Sequence, residues 1–526
     1  MISPGVLIVL DGWGCSPRET EYDAIRLAST PVMDELVARY PWTTLRASGE
    51  AVGLPSGAVG NSEIGHLTIG AGRVIEYEST RVERAAANGE LIDHPVLRTL
   101  LERVRTERTA LHLLGLCSDG MVHSHIGHFA ALLETARVNG VTRVFLHPST
   151  DGRDVPNGTA EGYLEQLGAV AKQVGIGTVA TVMGRAYTMD RNGNWDLTRS
   201  AYEAVTLGAG RPIRDPREAA RAASGVLPDE RVPPSIVVDR DGNAIGRIQD
   251  GDALIFVNFR GDRMRQLLRA FTAVPFDEFP RGPRPEIDVL TLTEYFSDPP
   301  VRALFSQADA SGGLADCLEH HGVRNLRVAE TEKFPHVTFF LNGRDRRRRT
   351  FEEHSHVPSP KGVEYSQAPE LSADIVTDRL VRAMKRQEAD LVVANLANAD
   401  VVGHTGDLGA VRRAVQTVDR CLGRICEAAW KAERWVAMVG DHGNAEVMRD
   451  PDAGTPHVGH TTNPVPFVLA HPGFDGVLSP EGTLADVAVT VVDLLGLPAG
   501  GTIAGESLLA YGVRRSATRK KFDGGQ

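Results

Sequence analysis

The sequence predicts two α/β domains with mostly parallel sheets, one inserted in the other. Short apolar runs rich in β-branched residues alternate with longer helical patterns, which is how crossover-connected parallel strands read. The runs also end in reactive side chains, and ligands of open α/β sheets collect outside the carboxyl ends of strands. Finally, the reactive groups sort along the chain. Metal-type ligands lie at 11–66 and 400–460, and cationic groups lie between them, from about 111 to 263.

The first run, VLIVL (6–10), leads into Asp11. The stretch GNSEIGH (60–66) then sets Ser62 among small residues, with Glu63 and His66 close behind. Gly-Asn-Ser alone is ordinary turn chemistry, so Ser62 acquires meaning only from what the rest of the chain brings to it. In the middle region LHLLGLCSDG (111–120) leads into His123, and VFLHPSTDGRD (144–154) ends in Arg153 and Asp154. TVATVMGR (178–185) ends in Arg185 with Arg191 close behind, and ALIFVNFRGDR (253–263) ends in Arg260 and Arg263. Guanidinium and imidazole suit carboxylate and phosphate. Further on, ADLVVANLAN (389–398) leads into Asp400 and His404, and WVAMVG (435–440) into Asp441 and His442.

The chain crosses between domains near Glu76–Glu78 and in the stretch 298–307, which gives one domain of 1–76 and 308–526 and an inserted domain of 77–307. The length of 526 residues fits more than one core. Hydrophobic content of 42% and charged content of 24% are those of a globular protein. A net charge of −11 argues against a nucleic-acid or membrane-surface partner. Cys15, Cys117, Cys317, Cys421 and Cys426 are scattered and form no CxxC pair, so neither a disulfide framework nor a zinc ribbon is expected. The N-terminus lacks a signal-peptide pattern, and no apolar run approaches the roughly 20 residues of a membrane span, so the expected compartment is the cytoplasm. GRDRRRRT (343–350) reads as a solvated hairpin tip and 514–526 as a frayed tail.

Asp400 and His404, spaced i, i+4, fall on one helix face. Asp441 and His442 are adjacent in a DHGN turn, and His460 follows in GHTTNP. With Asp11 these make a ligand set for two divalent ions, Ser62 Oγ completing one sphere. Mixed Asp/His ligation suits Mn²⁺ or Zn²⁺ better than Mg²⁺ or Ca²⁺. Two such ions can clamp the attacking and leaving oxygens of a phosphoryl displacement, and a metal-bound serine is ionised near neutral pH.

Taken together, these residues resemble those of the cofactor-independent (2,3-bisphosphoglycerate-independent) phosphoglycerate mutases of the alkaline phosphatase superfamily. The resemblance runs nearly end to end. It is carried by LIVLDGWG, ASGEAVGLPSGAVGNSEIGHLTIGAGR, LLGLCSDGMVHSH, STDGRDVP, MGRAYTMDR and NFRGDRMRQ, then by AETEKFPHVTFFLNG, NLANADVVGHTG, DHGNAE and HTTNPVPF. It implies an alkaline-phosphatase-like domain with a second α/β domain inserted. The implied reaction is interconversion of 3-phosphoglycerate and 2-phosphoglycerate through a phosphoserine on Ser62. Asp400, His404 and His460 would bind one Mn²⁺, and Asp11, Ser62, Asp441 and His442 the other, with Zn²⁺ or Co²⁺ as substitutes. His123, Arg153, Asp154, Arg185, Arg191, Arg260, Arg263 and Lys333 would hold the substrate. Lys333 enters through the resemblance, and it stands in a chain with only seven lysines among 57 basic residues.

The resemblance further implies a monomer whose inserted domain closes over the substrate and keeps water out. Asp154 would move protons to and from the substrate hydroxyls, and Lys333 would stabilise charge on the transferring group. Glu63 and His66 are expected in supporting roles. Asp23 stands where the family usually has Asn, Ala186 where a bulkier residue is common, and 351–362 departs from the usual run before the PSPK motif. The rival reading on the same fold is a metal-dependent phosphomonoesterase or another phosphomutase; a non-catalytic binder would have no need of Ser62.

Overall fold

The computed structural model describes residues 2–18, 20–295, 300–450, 454–474 and 476–510. The expected tail at 514–526 and the start of the crossing at 298–299 lie outside them. The chain folds as two compact units, 1–76 with 309–526, and 77–308. Among the described residues no helix is long and apolar enough to cross a membrane, and the five cysteines are free.

The strands run in chain order as follows. β1 (Gly5–Leu10) and β2 (Trp42–Arg46) belong to the first unit. The second unit supplies β3 (Leu111–Leu116), β4 (Val144–Thr150), β5 (Thr178–Val179), β6 (Thr181–Gly184) and β7 (Arg211–Ile213). It continues with β8 (Ser235–Val237), β9 (Ala253–Phe256), β10 (Asp288–Thr293) and β11 (Arg302–Phe305). The first unit resumes with β12 (Asn325–Glu330), β13 (Glu352–Val357), β14 (Leu391–Leu396), β15 (Trp435–Gly440) and β16 (Val465–Ala470). The short strands β17 (Val477–Leu478), β18 (Glu481–Thr483) and β19 (Leu509–Ala510) close it.

In the first unit the sheet order is β13-β12-β14-β1-β15-β16-β2-β18. From β13 to β15 every pairing is parallel, and only β16 runs antiparallel to both of its neighbours. All six residues of β1 are buried, as the continuous apolar run GVLIVL requires of a strand flanked by parallel neighbours and covered on both faces. One covering helix, Leu408–Lys431, begins where the Asp407 side chain accepts a bond from Ala410 N–H (2.9 Å). Its Val411, Val415, Val418, Leu422 and Ile425 recur at helical spacing and are buried in the core. Burying each such side chain contributes about 1.5–3 kcal/mol.

At the other edge of this sheet the polarity changes. Arg327 on β12 and Glu352 on β13 are fully buried side by side, with Arg327 NH2 3.8 Å from Glu352 Oε2. Asn342 Nδ2 donates to both oxygens of Glu352 (2.9 Å each), and His354 Nε2 lies 2.5 Å from Oε1. None of the guanidinium nitrogens of Arg327 has a hydrogen-bond partner among the described residues. The run 343–350 is also less solvated than expected. Arg346, Arg347 and Arg348 are exposed, but Arg349 turns inward against Asp316 (2.9 Å) and Asp345 (2.7 Å).

In the second unit the order is β11-β10-β9-β3-β4-β6-β8-β7, with β5 beside β4. From β11 to β6 the pairings are parallel, and β8 is antiparallel to β6. Consequently β9, β3, β4 and β6 end at one edge, and these are the strands followed by Arg260 and Arg263, His123, Arg153 and Asp154, and Arg185.

Asp23, the departure noted above, has a local role. It caps the helix Ala24–Leu27 by accepting from Arg26 N–H (2.9 Å) and is 6% exposed. Burial, reinforced by the nearby Glu446, pushes its carboxyl up to about 6 against the bonds that it accepts. A carboxyl raised in the folded state contributes stability that is present below its unfolded value and lost as pH rises through the folded one. Asn caps a helix as well as Asp and carries no charge. Asp23→Asn should therefore stabilise the protein by about 1–3 kcal/mol at pH 8 and have little effect near pH 4. Urea unfolding of both proteins at the two pH values checks this; an equal effect at both would contradict it.

Candidate active site

In the first unit, β12, β14, β1 and β15 are adjacent and parallel, so the residues that follow them arrive at one edge. Those residues are Lys333, Asp400, Asp11 and Asp441 with His442. Their loops interlock. Asp400 N–H donates to Asp11 O (3.1 Å), and Gly12 N–H to Asp441 Oδ1 (3.2 Å). Gly12 has a φ of +72°, and a Cβ there would lie 2.7 Å from Asp400 Cα, so the turn after β1 needs glycine on both counts.

Ser62 is the first residue of the helix Ser62–Ala71, which Asn61 caps by accepting from Ile64 N–H (3.0 Å). The nucleophile candidate thus sits where the helix dipole favours negative charge. The small residues behind it serve packing: a Cβ at Gly65 would lie 2.6 Å from Asp441 O, so only glycine lets this helix seat against the DHGN turn.

Ser62 Oγ accepts from Lys333 Nζ (2.6 Å), donates to Asp11 Oδ1 (3.1 Å) and lies 2.9 Å from His442 Nε2. Lys333 Nζ also donates to Asp11 Oδ1 (2.7 Å) and Asp400 Oδ2 (2.5 Å). Lys333 comes from the turn after β12, where its N–H donates to Glu330 O (3.0 Å), just before the π-helix His336–Phe340. Such wide turns recur at functional sites. Burial opposes the ammonium, but Asp11, Asp400 and Asp441 outweigh it and hold its pKa well above the usual lysine range. For His442 too, burial opposes charge, yet Asp441, Asp11 and Asp400 push the imidazole up to about 10.

Asp11, Asp400 and Asp441 are essentially buried. Among the described residues Asp441 Oδ2 has no hydrogen-bond partner, although His66 Nδ1 lies 3.2 Å from it. Buried carboxylates persist only when paired or coordinating, and Lys333 together with a protonated His442 still does not balance three of them. Two ligand groups are each close enough for one ion: Asp400, His442 and His460, and Asp11, His66 and Asp441, each with ligand atoms within 4.8 Å of one another. His404 Nε2 lies 3.3 Å from both Asp400 Oδ1 and His460 Nε2. The donor set therefore fits divalent cations. The grouping differs from the expected one in placing His442 beside Asp400 and His460 and His66 beside Asp11. His442 Nε2 is nonetheless 3.5 Å from Asp11 Oδ1 and 3.8 Å from Asp400 Oδ1, so it faces both groups.

His66 has both ring nitrogens engaged. Its Nδ1–H donates to Ser62 O (2.8 Å), and its Nε2 accepts from Asn395 Nδ2 (3.1 Å). Asn395 Nδ2 also donates to Asp11 Oδ2 (2.6 Å). With no lone pair to spare, His66 suits a holding role. Glu63 lies in the first turn of the helix and is exposed. Asn395 was not singled out in the sequence, although its place inside the strand LVVANL, where a polar residue is out of pattern, was a usable signal.

In the second unit Arg185 is buried, 2.6 Å from Asp151 Oδ1 and 2.8 Å from Asp154 Oδ2. Asp151 also accepts from Ser118 Oγ (2.6 Å) and from the N–H groups of Arg153 and Asp154 (3.1 and 3.0 Å), which fixes the STDGRD turn. Arg153 pairs with Glu230 (2.8 Å), and Arg191 and Arg260 share Asp262 (2.9 and 3.3 Å). Arg263 makes no ion pair among the described residues. Burial and the neighbouring Arg185 push His123 down to about 4 even with Asp262 facing it, so the imidazole is neutral at physiological pH. Burial and Asp151 raise the Asp154 carboxyl against the pull of Arg185. The carboxylates Asp151, Glu230 and Asp262 escaped the sequence reading, though two of them lie inside the basic motifs STDGRD and RGDR.

A protein from Moorella thermoacetica named 2,3-bisphosphoglycerate-independent phosphoglycerate mutase is 45% identical over 511 residues, covering 97% of this chain and 99% of that one. The chain belongs to the 2,3-bisphosphoglycerate-independent phosphoglycerate mutases. A Streptomyces coelicolor mutase of the same name is also 45% identical, over 515 residues and 99% of its length. Residues 82–297 match the family model described as the N-terminus of BPG-independent PGAM. The crystal structure of Leishmania mexicana phosphoglycerate mutase at low cobalt concentration superposes with a TM-score of 0.72 at 32% identity, covering 97% of this chain and 98% of that one. This chain, as a member of the mutase family, is an isomerase with two α/β units, and the phosphomonoesterase reading is not favoured.

Proposed function

We propose that the protein interconverts 3-phosphoglycerate and 2-phosphoglycerate through a phosphoserine on Ser62, without 2,3-bisphosphoglycerate. The observation that carries this reading is Ser62 Oγ, buried at a helix N-terminus in contact with Lys333, His442 and Asp11. Ser62 Oγ attacks phosphorus in line, and the bond from phosphorus to the substrate oxygen breaks. Asp154, its carboxyl raised toward protonation, gives a proton to the departing hydroxyl and takes one from the hydroxyl that attacks phospho-Ser62 in the second step. Lys333, fully protonated, stabilises charge on the transferring group. His123, Arg153, Arg191, Arg260 and Arg263 grip the substrate's carboxylate, and Arg185 holds Asp154 in place. Catalysis is mainly positioning and electrostatics.

Asp400, His404 and His460 would hold one divalent ion, and Asp11, Ser62, Asp441 and His442 a second; Mn²⁺ suits this donor set, and Zn²⁺ or Co²⁺ can substitute. Bound there, the ions would supply positive charge that ionises Ser62 and neutralises phosphoryl oxygens. The imidazoles must be neutral to ligate, so Mn²⁺ affinity should fall at least about tenfold between pH 8 and pH 6. Calorimetric titration of metal-free protein at both values checks this, and equal affinities would remove the histidines from the ligand set. The same reading makes the protein a cytoplasmic monomer whose partner is its small substrate.

An enolase-coupled assay tests the proposed function, with 3-phosphoglycerate and Mn²⁺ but no 2,3-bisphosphoglycerate, beside an assay for free phosphate. Formation of 2-phosphoglycerate without phosphate release is expected. Phosphate release alone would establish a hydrolase instead.

A further inference from the structure

We propose that Asp262 is the positioning residue of the anion-binding cluster, holding Arg191 and Arg260 beside His123 so that their free guanidinium edges meet the substrate already aligned. This rests on the reading of that cluster as the substrate's carboxylate site. Three segments are tied together by this one side chain. Asp262 and Arg260 come from the loop after β9, Arg191 from the turn after the short helix Arg185–Thr188, and His123 from the loop after β3. Asp262 Oδ2 lies 2.9 Å from Arg191 NH1, while Oδ1 lies 3.3 Å from Arg260 Nε and 3.7 Å from His123 Nδ1. That last separation is too long for a hydrogen bond, and both Asp262 Oδ1 and His123 Nδ1 are buried without a hydrogen-bond partner among the described residues.

The other carboxylates of the cluster behave differently. Asp151 and Asp154 occupy the buried Arg185, and Glu230 takes Arg153 alone. Asp262 alone among them is shared between two half-exposed arginines, which are 51% and 53% exposed. It engages Arg260 through Nε, so both terminal nitrogens of that guanidinium stay available for a planar, bidentate contact. Without Asp262, Arg191, Arg260 and Arg263 would repel one another and search their rotamers freely, and binding would have to reverse both. Half-exposed ion pairs add little to folding, so removing this one should act on substrate affinity and leave the fold alone.

Asp262→Asn keeps the shape and removes the charge. With Mn²⁺ present, KM for 3-phosphoglycerate should rise about tenfold or more while kcat stays within about threefold, the split expected when ground-state and transition-state binding are lost together. The thermal midpoint should not move. In the Arg191→Ala background the same substitution should cost clearly less, because the two side chains act as one unit. An unchanged or lowered KM, full additivity with Arg191→Ala, or joint loss of kcat and thermal stability would each overturn the proposal. Calorimetric binding of 3-phosphoglycerate separates this test from that of the overall reaction. A wild-type protein that binds but does not isomerise refutes the function, and the two affinities still decide the role of Asp262. A wild-type protein that does not bind refutes both.

Discussion

Replacing Ser62 with alanine should lower mutase turnover by at least about 10³-fold, the scale of losing a covalent nucleophile. The side chain is small and helix-terminal, and its neighbours remain: Asn61 still caps Ile64 N–H, and Gly65 still seats the helix against Asp441. The fold should therefore survive, as far-UV circular dichroism would show. Intact-mass analysis after quenching with 3-phosphoglycerate should find one added phosphoryl group on the wild-type chain and none on the variant. Substantial turnover by Ser62→Ala would end the phosphoserine scheme, since among the described residues no other hydroxyl contacts Lys333.

The second large effect concerns stability. Glu352→Leu should cost about 3–5 kcal/mol, because it leaves the guanidinium of Arg327 fully buried with no carboxylate to offset it. Asn342 loses its two acceptors in the same change. Combining it with Arg327→Met removes the stranded charge and should recover most of the loss, since replacing a buried pair by apolar groups is often neutral. Urea unfolding of the two single variants and the double variant gives the comparison. If the double variant were as unstable as Glu352→Leu, apolar packing and not charge would be the origin of the loss.

These cases show what the sequence made legible. Parallel strands buried on both faces read as continuous apolar runs, so β1, β14 and β15, with the residues that follow them, stood out. The strand β13, EEHSHV, did not, because it is polar and at the sheet edge. It forms through parallel pairing with β12 and carries Glu352 inward to Arg327. Cations at strand ends were equally visible, while their partners Asp151, Glu230 and Asp262 were not, since pairing is fixed by geometry across separate strands. Arg349 shows the same limit: nothing in RRRR marks which arginine turns inward. The small residues around Ser62 were visible, but not that Gly65 is what lets the helix meet the Asp441 turn.

The order of strands in the first unit has a consequence for how the chain is made. β1 lies between β14 and β15, so its two neighbours in the sheet begin at residues 391 and 435. A ribosome adding roughly 5–20 residues per second reaches β14 some 20–80 seconds after completing β1. Throughout that interval GVLIVL is an apolar segment without its partners, and the whole of 77–308 is made before the first of them arrives. The first strand made is thus among the last to be paired, and the first unit's sheet closes around β1 only after most of the chain exists.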